Sequence, residues 1–327
     1  MNFLAQRKHF MALPALLVGI CTVSNAQVVW EPTRPIRLVL GYTPGGASDA
    51  VARDLGPLMS KFLGQPVWVD YRPGAGGAIG AEIVASAPAD GYTIGLIDVA
   101  PLTIIPNARK VSYNPQSAFT YVGVVAKSPL VLLVHPSVPA KTLKELLALA
   151  RSKPGTVSYS TSGLGSIHQM AAELLGAGTD TSMLHVPYKG ASPALLDLMS
   201  GTVNVSFSTL APAVHIVKTG GARAIAVTST HEVPAFPGIK PIAIQGVPGY
   251  DAQGWFVIAG PKGMPASVLQ RLNASLNAAL NTPSLRNKLI SIGNDVAPGT
   301  PAAATELVKN DYQKWGKVIR DQQLHFD

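Results

Sequence analysis

From Arg34 onward the chain alternates two hydrophobic patterns. Short runs dense in Val, Ile, Leu and Tyr (IRLVLGY, PVWVDYR, YTIGLID) are separated by stretches such as SDAVARDLGPLMSKFLG and GGAIGAEIVASAP, where apolar positions recur every three or four residues. The first pattern predicts strands and the second amphipathic helices. The second half repeats this grammar with VLLVHP, TLKELLALARS, TVSYSTSG, IHQMAAELLGA, MLHVPYKG, SPALLDLMSG, VNVSFSTL and AIAVTST. Strand–helix alternation predicts an α/β architecture with largely parallel sheets. The repetition is architectural and has no fixed sequence period. Pro and Gly then cluster from Gly238 to Gly249 and in GPKGMP, before two helical stretches, SVLQRLNASLNAALN and AAATELVKNDYQKWGKVIRDQQ. The end of the chain is expected to return to the first domain.

A length of 327 residues, 47% of them hydrophobic, is enough for a sizeable core and favours two domains over one. The first stretch does not belong to that core. Arg7 and Lys8 precede an apolar run from Met11 to Val23, and Ser24-Asn25-Ala26 follows as a small-x-small cleavage site. This is the pattern of a secretory signal over residues 1–26, which implies a periplasmic product. A membrane anchor needs about 20 continuous apolar residues, and this run is interrupted by Pro14. A lipoprotein signal at Cys21 fits poorly because bulky Ile20 precedes it. Cys21 is also the one cysteine of the chain, so disulfides and thiol chemistry are not expected in the exported product. The formal charge of +8 includes Arg7 and Lys8 of the leader. A moderate basic excess suits anionic small molecules, while scattered basic residues and few aromatics argue against nucleic acid.

In open α/β sheets, ligands sit beyond the carboxyl ends of strands, which directs attention to the loops after LVLGY, GLID, SYSTS, HVPY and VSFS. TPGGASD follows a strand and opens a helix. Its glycines permit close backbone approach, and Ser48 or Asp49 can cap the helix and leave amides pointing outward. It lacks the Gly-Lys-Ser/Thr ending of a P-loop and the three-glycine spacing of a dinucleotide fingerprint, so neither a nucleotide nor another cofactor is expected. STSGLGSIHQM is a second opening of this kind, offering hydroxyls and amides suited to a carboxylate. RPGAGGAIGAE reads as tight backbone packing, with Arg72 expected either in a structural salt bridge, the favoured reading, or on a ligand carboxylate. Neither HExxH, GxSxG nor a cysteine nucleophile occurs, and the seven histidines show no metal-ligand spacing. His168 reads either as a ligand contact or as a hydrogen-bonded helix histidine. The chain is therefore not expected to be an enzyme.

The succession RPIRLVLGYTPGGASDAVAR, LGQPVWVDYRPGAGGAIGAEIVASAPADGYTIGL, VPYKGASPALLDLMSGTVNVSFS, ARAIAVTST and GVPGYDAQGWFVIAGPKGMP resembles the Bug-type extracytoplasmic receptors, the substrate-binding proteins of tripartite tricarboxylate transporters. The likeness spans essentially the whole chain after the leader, in the right order. It implies a type II periplasmic-binding-protein fold, two α/β domains joined by two crossing strands. Residues 27–127 with 253–327 would form one domain and 128–252 the other. Implied ligands are di- and tricarboxylates, amino acids and aromatic acids, held by the loop Tyr42, Thr43, Gly45, Gly46, Ala47 and Ser48 and by Ser160, Thr161, Ser162, Gly165, Ser166 and His168. Tyr188 and Ser208 are further contacts. Implied partners are a membrane permease or, in a second reading, a membrane sensor, and the receptor itself is expected to be a monomer; an exported hydrolase is the third. Three positions depart from the family pattern: Tyr42 adds a phenol, Ser208 replaces a common acid, and Asp98 adds an acid. Asp98 is expected either to pair with a ligand ammonium or to turn away and cap a loop.

Overall fold

A computed structural model describes residues 30–326; the expected leader lies outside them. The order of elements is β1 (Ile36–Leu40), α1 (Ala47–Leu63), β2 (Val67–Tyr71), α2 (Ala78–Ala85), β3 (Thr93–Asp98), α3 (Ile105–Ala108), β4 (Phe119–Ser128), β5 (Leu130–Val134), α4 (Leu143–Ser152), β6 (Ser158–Thr161), α5 (Ile167–Thr179), β7 (Leu184–Pro187), α6 (Ala191–Ser200), β8 (Val205–Thr209), α7 (Leu210–Lys218), β9 (Arg223–Val227), β10 (Gly254–Pro261), α8 (Ala266–Leu280), α9 (Pro283–Ser291), β11 (Asp295–Val296) and α10 (Pro301–Asp321). Helices α7 and α9 were not anticipated. Two proline- and β-branch-containing segments, LAPAVHIVK and PSLRNKLIS, carry weak helical signals of their own.

The strands form two sheets in two α/β domains, ordered β11-β4-β10-β3-β1-β2 and β7-β6-β8-β5-β9. Among the described strands, parallel pairing is confined to β2–β1–β3 in the first sheet and β7–β6–β8 in the second, apart from an isolated bridge of Val227 with Pro241. The sheets are therefore mixed, where the sequence pattern predicted largely parallel ones. β10 runs antiparallel to β3 and β4, and β5 antiparallel to β8 and β9. The physical reason lies in connectivity. A parallel neighbour arises from a helical crossover, whereas β5 and β10 begin where the chain passes from one sheet to the other.

Period-two alternation decides how each strand is buried. In β1, Ile36, Leu38 and Leu40 turn to one face, packing with α1 and α8, while Val39 turns to the other. That second face continues without a break into Leu130, Leu132, Val134 and Phe207 of the second sheet and into α5 and α10. Val131, Leu133 and Val227 point the opposite way, against α6 and α7. The parallel strands β1, β3 and β6 consequently deliver their carboxyl ends, with the loops that follow, to the region between the sheets. Among the described residues no helix is long and apolar enough to cross a membrane.

Candidate functional site

Between the two sheets lies a cavity of about 240 Å³. The first domain supplies Tyr42, Gly76, Asp98, Val99, Ala100 and Ile105; the second supplies Ser162, Leu164, Gly165, Ser166, Ile167 and His168. A slightly larger cavity of about 260 Å³, bounded by Leu210, Val233, Arg286 and Asp295, lies elsewhere. Only Leu210, which follows β8, stands at the carboxyl end of a parallel strand there, and Asp295 is engaged by His231 at 3.1 Å. The first cavity is the functional candidate.

Its first-domain wall depends on backbone contact between glycines. A Cβ on Gly80 would stand 2.7 Å from the Gly41 Cα, and one on Gly41 would stand 2.7 Å from the Gly77 carbonyl oxygen. With no side chain on either, α2 closes directly onto the turn after β1. The Tyr42 hydroxyl, which can donate to one acceptor at a time, then lies 3.1 Å from the Gly76 carbonyl and 2.9 Å from Asp98 Oδ1. Asp98 ends β3 and also accepts from the Ala100 amide at 3.3 Å, capping the wide helical turn over Ala100–Ile104. Burial drives the Asp98 carboxyl up to about 6, against the lowering effect of these hydrogen bonds. Burial, with the Asp98 charge next, raises the Tyr42 phenol well above its ordinary value. Asp98 thus caps a turn and lines the cavity at the same time.

The second-domain wall is the start of α5. Ser166 is its N-cap and accepts from the Gln169 amide at 3.3 Å, while Gln169 Oε1 accepts from the Gly165 amide at 2.9 Å. Gly165 has φ +71°, and an added Cβ would meet the Phe326 ring at 3.3 Å. The Ile167 and His168 amides occupy the first two helical positions, which have no acceptor within the helix. Their orientation and the helix dipole favour an anion there. His168 is oriented by the Ser162 hydroxyl, 2.9 Å from Nδ1. Its Nε2 is buried and has no partner among the described residues. Burial depresses the imidazole to about 4, so the ring is neutral at pH 7. With the Ser162 hydroxyl donating to Nδ1, Nε2 carries the proton and is left as a buried donor on a residue that lines the cavity.

Six of the residues singled out from sequence therefore meet around one cavity: Tyr42, Asp98, Ser162, Gly165, Ser166 and His168. The others do not line it. Thr43, Gly45, Gly46 and Ala47 are exposed and Ser48 is buried, and none of these five lines the cavity. The Gly45 amide donates to Asp49 Oδ2 at 2.7 Å. Burial of Asp49 opposes its ionisation but is outweighed by hydrogen bonds from Tyr71, that amide and Arg53, which hold its carboxyl below the usual range. Ser160 donates to the Ala194 carbonyl, Thr161 pairs with His185 Nε2 at 2.7 Å, and Ser208 donates to the Thr209 carbonyl. Tyr188 donates to Asp197 at 2.5 Å. Arg72 pairs with Asp70, which Arg37 also engages. Gly76, Val99, Ala100, Ile105, Leu164 and Ile167 were not anticipated, since five carry apolar side chains and the sixth is a glycine. Val99 and Ala100 had one available signal, their place directly after the Asp98 strand end.

Comparison with known proteins adds family to geometry. The sequence model of the tripartite tricarboxylate transporter family receptor (TctC) matches residues 51–324. A Pseudomonas protein from the tcbD–tcbE intergenic region is 37% identical, covering 98% of this chain and 95% of its own length. The structure of R. palustris Rpa4515 with adipate superposes with a TM-score of 0.77 at 34% identity, covering 88% of this chain and 97% of that one. MatC from Rhodopseudomonas palustris with bound malate gives a TM-score of 0.76 at 28% identity, covering 88% and 99%.

Proposed function

The chain belongs to the tripartite tricarboxylate transporter receptor family of periplasmic solute-binding proteins, and on that premise we propose that it captures a small carboxylate in the cavity between its domains and presents the loaded form to a tripartite-type membrane transporter. The observation that carries this reading is the buried, unpartnered His168 Nε2, beside the unpaired first amides of α5. A buried donor without a partner costs about 1–3 kcal/mol, and an anionic acceptor between Nε2 and the amides removes that cost. A neutral imidazole suits the task, because it donates without needing a proton from solvent. Adipate and malate in the two solved relatives support a carboxylate as the ligand class. A cavity of about 240 Å³ suits a small acid, as drug-sized ligands occupy roughly 300–1,000 Å³. Contacts from both domains favour the closed arrangement, which is the form a transporter can distinguish from the empty one.

A thermal-shift series over mono-, di- and tricarboxylates tests this. A ligand at a hundredfold its Kd stabilises by about 2.7 kcal/mol, which should raise Tm by roughly 5 °C or more. His168→Ala should weaken the best ligand by about tenfold or more. Absence of any shift, or unchanged affinity in His168→Ala, would contradict the reading.

A further inference from the structure

Among the described residues that line the inter-domain cavity there is neither lysine nor arginine, and the one acid is Asp98. His168 adds no positive charge, since burial keeps it neutral. The cavity is therefore asymmetric. Its α5 end offers amides and the Nε2 donor to one carboxylate, whereas its β3 end offers a carboxylate oxygen and no cation. Asp98 is not free to swing aside, because Oδ1 is held by the Tyr42 hydroxyl and the Ala100 amide. Tyr42 spends its proton on Asp98 or on the Gly76 carbonyl, so it cannot donate to the far end of a ligand either.

Building on the proposed carboxylate capture, we infer that Asp98 is the specificity-determining residue for the far end of the ligand, admitting a hydrogen-bond-donating head, an ammonium above all, and rejecting a second carboxylate. A dianion would set two like charges together in a partly desolvated cleft, where they are poorly screened. An amino acid adds no net charge to the cleft, its carboxylate on the α5 amides and its ammonium on Asp98.

The same geometry makes selection depend on pH. Above about 6 the Asp98 carboxyl is ionised and opposes a diacid; below that value it carries a proton that it can donate to one. The groups around it leave this titration in control. Tyr42 from the β1 turn and Tyr113, which follows α3, are both held neutral, Tyr113 by burial first and by the Asp98 charge second. Glu82 of α2 and exposed Arg109 act on Tyr113 with opposite sign. The paired strand β10, GWFVIAGP, carries no titratable side chain, and His168 is neutral on the opposite wall.

The test is calorimetric titration of wild type and Asp98→Asn with matched pairs: succinate against β-alanine, and glutarate and adipate against the ω-amino acids in which an ammonium replaces one carboxylate. Each pair is measured on both sides of the Asp98 value of about 6. Above it, wild type should prefer the amino acid of its best pair by about tenfold or more, and Asp98→Asn should lose that preference. Below it, the wild-type preference should shrink, while Asp98→Asn changes only by the ligand's own titration, which is common to both proteins. Equal or better diacid binding by wild type above that pH, or a preference that survives in Asp98→Asn, would overturn the inference and leave carboxylate capture standing. Failure of wild type to bind any member of the panel would overturn the inference; carboxylate capture falls with it only if the mono-, di- and tricarboxylate series also gives no thermal shift.

Discussion

Asp98 is a carboxylate whose ionisation burial resists, so its replacement should register in stability before any ligand is added. Its folded value of about 6 lies above the ordinary 3.8. The stability it contributes is therefore fully present below the ordinary value and is lost as pH rises through about 6. Asparagine keeps an oxygen to accept from Tyr42 and the Ala100 amide but has no charge to bury. Asp98→Asn should raise Tm above about pH 6 and lose that advantage as pH falls; melting curves across the window check it, and a constant offset would contradict the ionisation argument. His168 has the opposite sign. Its folded value of about 4 lies below the ordinary 6.5, so its contribution is complete above 6.5 and is lost as pH falls toward 4. His168→Gln should flatten the acid side of the melting profile. At this scale sequence reasoning reached residues with a chemical signature at a strand end or a helix start, such as Tyr42, Asp98 and His168. It could not separate Ser162, whose hydroxyl orients His168, from Ser160, because the Ala194 carbonyl on which the Ser160 hydroxyl is spent lies 34 residues away in sequence.

Among the elements, α5 begins in one cavity wall and α2 backs the turn that carries Tyr42 in the other. The direct contact of α2 with the turn after β1 exists because Gly80 and Gly41 have no side chains, and backbone 2.7 Å away cannot yield. Gly80→Ala should destabilise the fold by about 1–3 kcal/mol and weaken carboxylate binding by displacing Tyr42 and Asp98. Chemical denaturation with a parallel titration measures both effects, and unchanged values would show that the contact is not tight. For α5, Ser166→Ala removes the N-cap acceptor for the Gln169 amide and should cost about 1 kcal/mol. The amphipathic helices α1, α4, α8 and α10 were legible because each has one apolar stripe. The mixed strand directions were not, since hydrophobic alternation reports which face of a strand is buried and carries no information on the direction of its neighbour.

At the scale of the molecule, one apolar face runs from the first sheet into the second, and the end of the chain reinforces the join. The α10 helix contributes Trp315, Val318 and Ile319 to that shared core, and Phe326 lies against Gly165 at the start of α5. The alternating pattern and the long shared motifs made the two-domain fold readable in sequence. The placement of Phe326 beside the site was hidden, as it joins residues far apart in the chain. Capture by two domains requires that a ligand quiet both walls together. Hydrogen–deuterium exchange with and without the carboxylate giving the largest thermal shift measures this directly. The expected result is simultaneous protection of peptides covering residues 98–105 and 162–168. Protection of only one of them, or of the groove between Leu210 and Asp295 instead, would contradict capture in the inter-domain cavity.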